Sequence, residues 1–263
     1  HLLNVLIFKY IKLLTLMLLV VNSYGQVKDP IKIYPVKSLE KVEAKDVMWH
    51  RRLWREIDLT EKINQHLYYG DSKVNRNYCL YDILNKYIQK GAIKAYSAVN
   101  DNFTKELTIN ELNNKTGDSV FVDGKLTYKQ LESKDVVKFW LKEDWFFDAK
   151  YSEIKVRIIG ICPVKIKKDK DGNILGYEQL FWLYFPNVRG ALVNYEPFQK
   201  QEDEPRISFD DVFTYKRMFD SYIIVRSGNK LRELKQNKTE LDKKLEKEKT
   251  KIYYFNKTTH LWG

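Results

Sequence analysis

The residues able to do chemistry are few and scattered. The four histidines are His1, His50, His66 and His260. None has a second His three to five positions away, and no Cys-x-x-Cys occurs, so no metal-ligand set is expected. No Gly-x-Ser-x-Gly elbow is present. Cys162, followed by Pro163 in a strand-like run, lacks the helix N-terminus that would activate a thiol. The 11 glycines form neither Gly-x-Gly-x-x-Gly nor Gly-x-x-x-x-Gly-Lys, so no phosphate-binding cofactor is expected. Adjacent carboxylates occur at Glu143-Asp144, Glu202-Asp203-Glu204 and Asp210-Asp211. They leave open an exported hydrolase built on paired acids, but their turn-like or helix-start positions read as solvated acids. Asp169-x-Asp171-Gly172 resembles the start of a calcium loop without its later ligands; a hairpin turn is the simpler reading.

One stretch is chemically dense in another way. "DVMWHRRLWREIDLTEKI", Asp46 to Ile63, puts two tryptophans, a histidine and three arginines between Trp49 and Arg55. Three roles suit it: reading nucleic acid, catalysis, or packing and docking in a structural protein. The charge distribution argues against the first. The formal net charge is +11, but residues 1–25 and 229–263 carry +2 and +5 of it, leaving 34 bases against 30 acids over residues 26–228. A nucleic-acid binder concentrates its charge on the folded surface. Aromatic and arginine side chains also anchor protein interfaces. Trp49, His50, Arg52 and Trp54, with Arg189 and Arg217 further along, are therefore candidates for partner contact or core.

Elements must position these residues. The apolar start with Lys9 and Lys12, then Leu13–Val21 and Ser23-Tyr24-Gly25-Gln26, reads as a signal peptide cleaved between Gly25 and Gln26. No cysteine follows the apolar run, so no lipid attachment is expected there. In an oxidising compartment Cys79 and Cys162 either pair or remain separate buried thiols, and their helix-like and strand-like surroundings favour the second. Residues 26–45 read as an extended leader, with Val27, Ile31, Ile33 and Val36 laid along a neighbour. Asp46 suits the N-cap of a helix reaching Ile57, with Val47, Leu53, Trp54 and Ile57 on its apolar face. Asp58 and Thr60 would cap a second helix over Glu61–Gln65. A helix is expected over Tyr78–Ile88, stopped at Gly91, then strands at Ala92–Ser97 and Val120–Val122 and a short helix at Thr127–Glu132.

Val136–Asp148, Ile154–Lys167 and Tyr177–Pro186 read as an antiparallel meander, the last with both faces covered. After a polar linker, 197–206, Ser208 and Asp211 form a capping box. The helix that follows echoes the opening stretch, suggesting one packing job for both. From Asn229 the lysine-rich tail has helical spacing at Leu231, Leu234, Leu241, Leu245 and Ile252, short of a sustained heptad seam. The expected class is α+β: an antiparallel meander flanked by short amphipathic helices, plus a charged C-terminal helix. The expected divisions are a signal peptide (1–25), leader (26–45), α+β domain (46–228) and helical tail (229–263).

Four segments, "DVMWHRRLWREIDLTEKIN", "VRIIGICPVK", "GYEQLFWLYFPNVR" and "FDDVFTYKRMFDSYI", resemble in order the motifs of the GldN/PorN family over residues 42–226. The tail from Asn229 departs from that pattern. The resemblance implies a non-enzymatic periplasmic component of gliding motility and type IX secretion, at the inner face of the outer membrane. It implies a homo-oligomeric ring built with a GldK/PorK-like outer-membrane lipoprotein, touching the membrane only through that partner, without nucleic acid or cofactor. A basic protein binding anionic envelope polymers through residues 229–263 is the remaining alternative.

Overall fold

The computed structural model describes residues 34–70, 78–122, 125–168, 173–198 and 207–226. The chain divides into residues 1–34 and 35–263, and the architecture below belongs to the second unit. The signal peptide with Gly25 and Gln26, the Asp171-Gly172 turn, most of the polar linker and the tail lie outside the described residues.

In chain order the elements are β1 (Val47–Asp58), the one-turn α1 (Gln65–Tyr68), α2 (Leu80–Gln89), β2 (Ala95–Tyr96), α3 (Ile109–Thr116), β3 (Gly117–Val122) and β4 (Lys125–Gln130). Then come β5 (Val136–Asp148), β6 (Glu153–Lys168), β7 (Ile174–Gln179), β8 (Trp182–Tyr184) and α4 (Phe185–Leu192). Last are α5 (Phe209–Asp211), widening into a π-turn over Val212–Lys216, and β9 (Tyr222–Arg226). Seven strands make one antiparallel sheet in the order β2-β8-β6-β5-β1-β9, with β7 also on β6; β3 and β4 form a separate hairpin. The α+β class and the β5-β6-β7 meander agree with the sequence.

The opening stretch is a strand, not a helix: β1 pairs with β5 along its length and with β9 on its other side. Positions 47, 53 and 57 fit a helical stripe, but they also share parity. In a strand Leu53 and Ile57 stay on one face, where both are fully buried, while Trp54 turns to the other and a register shift after Val47 removes that residue from the stripe. The echo between this stretch and Ser208–Phe219 therefore fails, because a strand and a π-widened helix turn cannot pack alike. Lys125–Gln130 is likewise strand where a short helix was expected over Thr127–Glu132, and the Asp123-Gly124 dipeptide is a hairpin signal. Asp58 accepts hydrogen bonds from the backbone and hydroxyl of Thr60, closing a turn instead of capping a helix. A 3-10 turn, Lys62–Asn64, and then α1 follow.

Other elements match their signals. In α2, Leu80, Ile83, Leu84 and Ile88 are buried, and Gly91 takes the left-handed φ of 70° that ends it. Strand character after α2 is limited to two residues. The return strand divides: β7 pairs with Val164–Lys168 and β8 with Gly160–Ile161, and α4 then begins at Phe185 with Pro186 in its first turn. Leu180–Leu183 is buried, as expected, but Tyr184 is exposed. Ser208 and Asp211 make the reciprocal capping box. Helices α2, α4 and α5 cover one sheet face, where Ile57, Phe139, Leu141, Ile158 and Ile161 join Ile83, Leu84, Val188, Phe209 and Phe213 in one core. Cys79 and Cys162 are free buried thiols. Burial pushes the Cys79 thiol up to about 12 and raises that of Cys162 as well, which keeps both protonated.

Candidate interaction site

Directly opposed residues in antiparallel strands share a face, so the β1–β5–β6 register sorts the side chains. Leu53, Ile57, Phe139, Leu141 and Glu143 point to the helices, with Trp49 opposite Phe147 and half-buried on the same side. On the other face run Asp58 opposite Lys138, Glu56 opposite Trp140, Trp54 opposite Lys142, Arg52 opposite Asp144, and His50 opposite Phe146. The first four pairs are complementary. Lys138 donates to Glu56 at 2.6 Å and lies 4.0 Å from the Tyr177 ring centroid. Trp140 donates to Glu56 at 3.0 Å. Lys142 lies over Trp54 and donates to the Asp101 carbonyl at 2.8 Å.

The middle of this charged face is covered by the loop before α3. Trp54 and Lys142 both reach Asp101. Phe103 packs edge-on against Tyr96, Trp182 and Tyr184, above Gly160. A Cβ built on Gly160 would stand 2.6 Å from the Phe103 ring, so only glycine allows this approach. Toward the start of β1 the cover ends. His50 and Arg52 side chains keep 49% and 38% of their accessible surface, near exposed Met48. Arg52 donates twice to Asp144, at 2.6 and 2.7 Å, and His50 lies 3.4 Å from the same carboxylate. Burial pushes the Asp144 carboxyl up, but Arg52 and His50 outweigh it and the net shift is downward. The Arg52 guanidinium is correspondingly held above its ordinary range by Asp144.

The acid next in sequence behaves differently. Glu143 was read as a solvated acid, yet it sits in mid-strand on the core side with no exposed side-chain surface. Arg217 donates to it at 2.8 Å and Trp145 at 2.7 Å, and Arg55 stands 3.8 Å away. Arg217 has a φ of 48°, a left-handed conformation that costs a non-glycine residue about 1–2 kcal/mol. Arg189 in α4 donates to buried Asp210 at 2.7 and 2.9 Å, with Thr214 hydrogen-bonded to the same carboxylate.

The six candidates thus separate. Arg189 and Arg217 tie α5 and its π-turn to α4 and the sheet. Trp49 and Trp54 pack on opposite faces of β1. His50 and Arg52 remain at the surface. Among the described residues the neighbouring carboxylates do not converge as a hydrolase needs: Glu143 and Asp144 face opposite ways, Asp210 serves Arg189, and Asp211 caps Ser208, while Glu202-Asp203-Glu204 lies outside the described residues. Among the described residues no group of three metal-binding side chains comes together, and no helix is long and apolar enough to cross a membrane. Lys138, Lys142, Glu56 and Asp101 were missed; the signal for the first three was the charges at even positions of β1 and β5, visible only once both are read as strands, and Asp101 in the loop had none.

No curated protein sequence matches the chain. Residues 42–263 match the family described as gliding motility associated protein GldN. The match runs past the four motif segments and includes the tail, correcting the reading of the tail as a departure. The chain belongs to the GldN family.

Proposed function

We propose that this protein is a structural part of a periplasmic ring, assembled with a GldK/PorK-like outer-membrane lipoprotein at the inner face of the outer membrane. Membership of the GldN family makes it a component of gliding motility and type IX protein secretion, and the match over residues 42–263 carries the reading. The geometry supports a scaffold role. The arginine–carboxylate pairs join β1 to β5, α4 to α5, and the segment after the π-turn to the sheet. His50 and Arg52, with exposed Met48 near them in the strand, form the partner contact. The exposed Ile174, Leu175 and Tyr177 on β7 provide a second apolar contact. Residues 1–25 act as an export signal cleaved before Gln26, and residues 46–228 form the assembling domain.

The test is co-purification from the native host with a C-terminal tag. A very large assembly containing an outer-membrane lipoprotein is expected. A monomer without a partner would overturn the ring and reopen activity screening.

A further inference from the structure

The leader is fastened by side chains that are also paired within the domain. Residues 35–43 form no helix or strand, and none of them is buried. Val36 is exposed, so its expected apolar packing is replaced by polar contacts. The Lys37 carbonyl accepts from Arg189 at 2.8 Å and from the Tyr215 hydroxyl at 3.1 Å. The Glu40 carbonyl accepts from Arg157, and its carboxylate accepts from Lys155 at 2.5 Å. The Lys37 ammonium lies 3.5 Å from Asp211 and over the Tyr215 ring. The groups that hold the leader are themselves fixed from within the domain: Arg189 by Asp210, and Lys155 by Asp148 at 2.7 Å. The receptor thus reads two main-chain carbonyls three residues apart and one carboxylate. That is the signature of an extended peptide with an acidic residue.

We propose that residues 37–40 of one copy occupy this receptor on a neighbouring copy, so that leaders are exchanged between subunits; this rests on the oligomeric reading above. A second copy carries the one segment already seen to fit, and exchanging an identical element keeps every contact without a new surface. The leader buries no side chain, and its ion pairs through Lys37 and Glu40 are partly exposed and hold weakly. None of residues 41–45 is buried, and the chain is held at Asp46, whose carbonyl accepts from Ala149 at 2.8 Å. Residues 37–43 can therefore swing out, with an extended reach of about 23 Å at ~3.3 Å per residue.

The native Glu40–Lys155 pair provides the test. Unlabelled and 15N-labelled full chains are mixed before assembly and treated with a carbodiimide. The reagent joins the Glu40 carboxyl to the Lys155 amine as an amide and takes up the lost water as its urea. Linked peptides are then read by mass in the assembled fraction. Exchange yields Glu40–Lys155 pairs of mixed label, in about half of the links if neighbours associate at random. Asp148–Lys155 links, within one β5–β6 hairpin, stay single-label and serve as the internal control. An assembly whose Glu40–Lys155 links are all single-label overturns the exchange and leaves the functional reading standing. A chain that forms no assembly overturns both.

Discussion

Glu143 and Asp144 are neighbours in one strand with opposite circumstances. Glu143 has no exposed side-chain surface and gathers Arg217 and Trp145 with Arg55 close by, whereas Asp144 keeps 17% exposure and faces Arg52 and His50 at the rim of the sheet. The pleat alone sends them to different sides. The same acid–arginine chemistry then does two jobs. On the core side it is a closed fastening between β5 and the chain leaving the π-turn. On the other side the pair is only half withdrawn from water, so its arginine and histidine can still meet a partner.

The largest effect should come from Glu143→Gln. It removes the counter-charge from Arg217 and Arg55, and breaking a buried pair costs about 3–5 kcal/mol. For a chain of this size that lowers Tm by roughly 6–20 °C, measurable by calorimetry. Asp144→Asn in the same strand should cost about 1 kcal/mol or less. Equal losses from the two substitutions would abolish the distinction between the faces. Arg189→Met should also cost about 3–5 kcal/mol, because Asp210 is left buried without its charge partner. Arg189→Met with Asp210→Leu should recover most of that stability in urea denaturation. A double variant as unstable as the single would show that the pair does more than neutralise itself. Gly160→Ala should fall between these and the surface pair. Its methyl must displace the Phe103 ring, an overpacking cost of about 1–3 kcal/mol. Faster hydrogen exchange in residues 97–107 would locate the damage on the charged face.

These contrasts also explain what the sequence could show. Helix α2 was legible because its apolar residues repeat at helical spacing and Gly91 ends it. β5 and β6 were legible because β-branched and aromatic residues fill them. β1 was not, because Trp54 sits with His50, Arg52 and Glu56 on its charged face, and Arg51 and Arg55 on its core-side face, which breaks the polar–apolar alternation that marks a half-buried strand. Its partner for those charges lies about ninety residues away on β5, and pairing across that distance overrode the helical stripe. Arg52, Arg189 and Arg217, chosen by residue type as contact or core candidates, each pair with a carboxylate in the fold. Which of them stays at the surface depends on Asp144, Asp210 and Glu143, and thus on tertiary register.

The smallest expected change in stability belongs to Arg52→Ala, and it separates anchoring from contact most cleanly. Its guanidinium is more than one-third exposed, so its loss should cost about 1 kcal/mol or less. The sign with pH follows from the lowered Asp144 pKa. A carboxyl held down in the folded state adds stability above its unfolded value, about 3.9, and loses it as pH falls through the lower folded value. The stability difference between wild type and Arg52→Ala should therefore be present at neutral pH and vanish on acidification below about pH 4. A gap that persists in acid would mean that Arg52 stabilises by packing its alkyl stem rather than by pairing. At neutral pH the variant should fold normally yet recover less lipoprotein in co-purification. Full recovery would move the partner contact away from the start of β1 and leave the exposed apolar side chains of β7 as the remaining candidate.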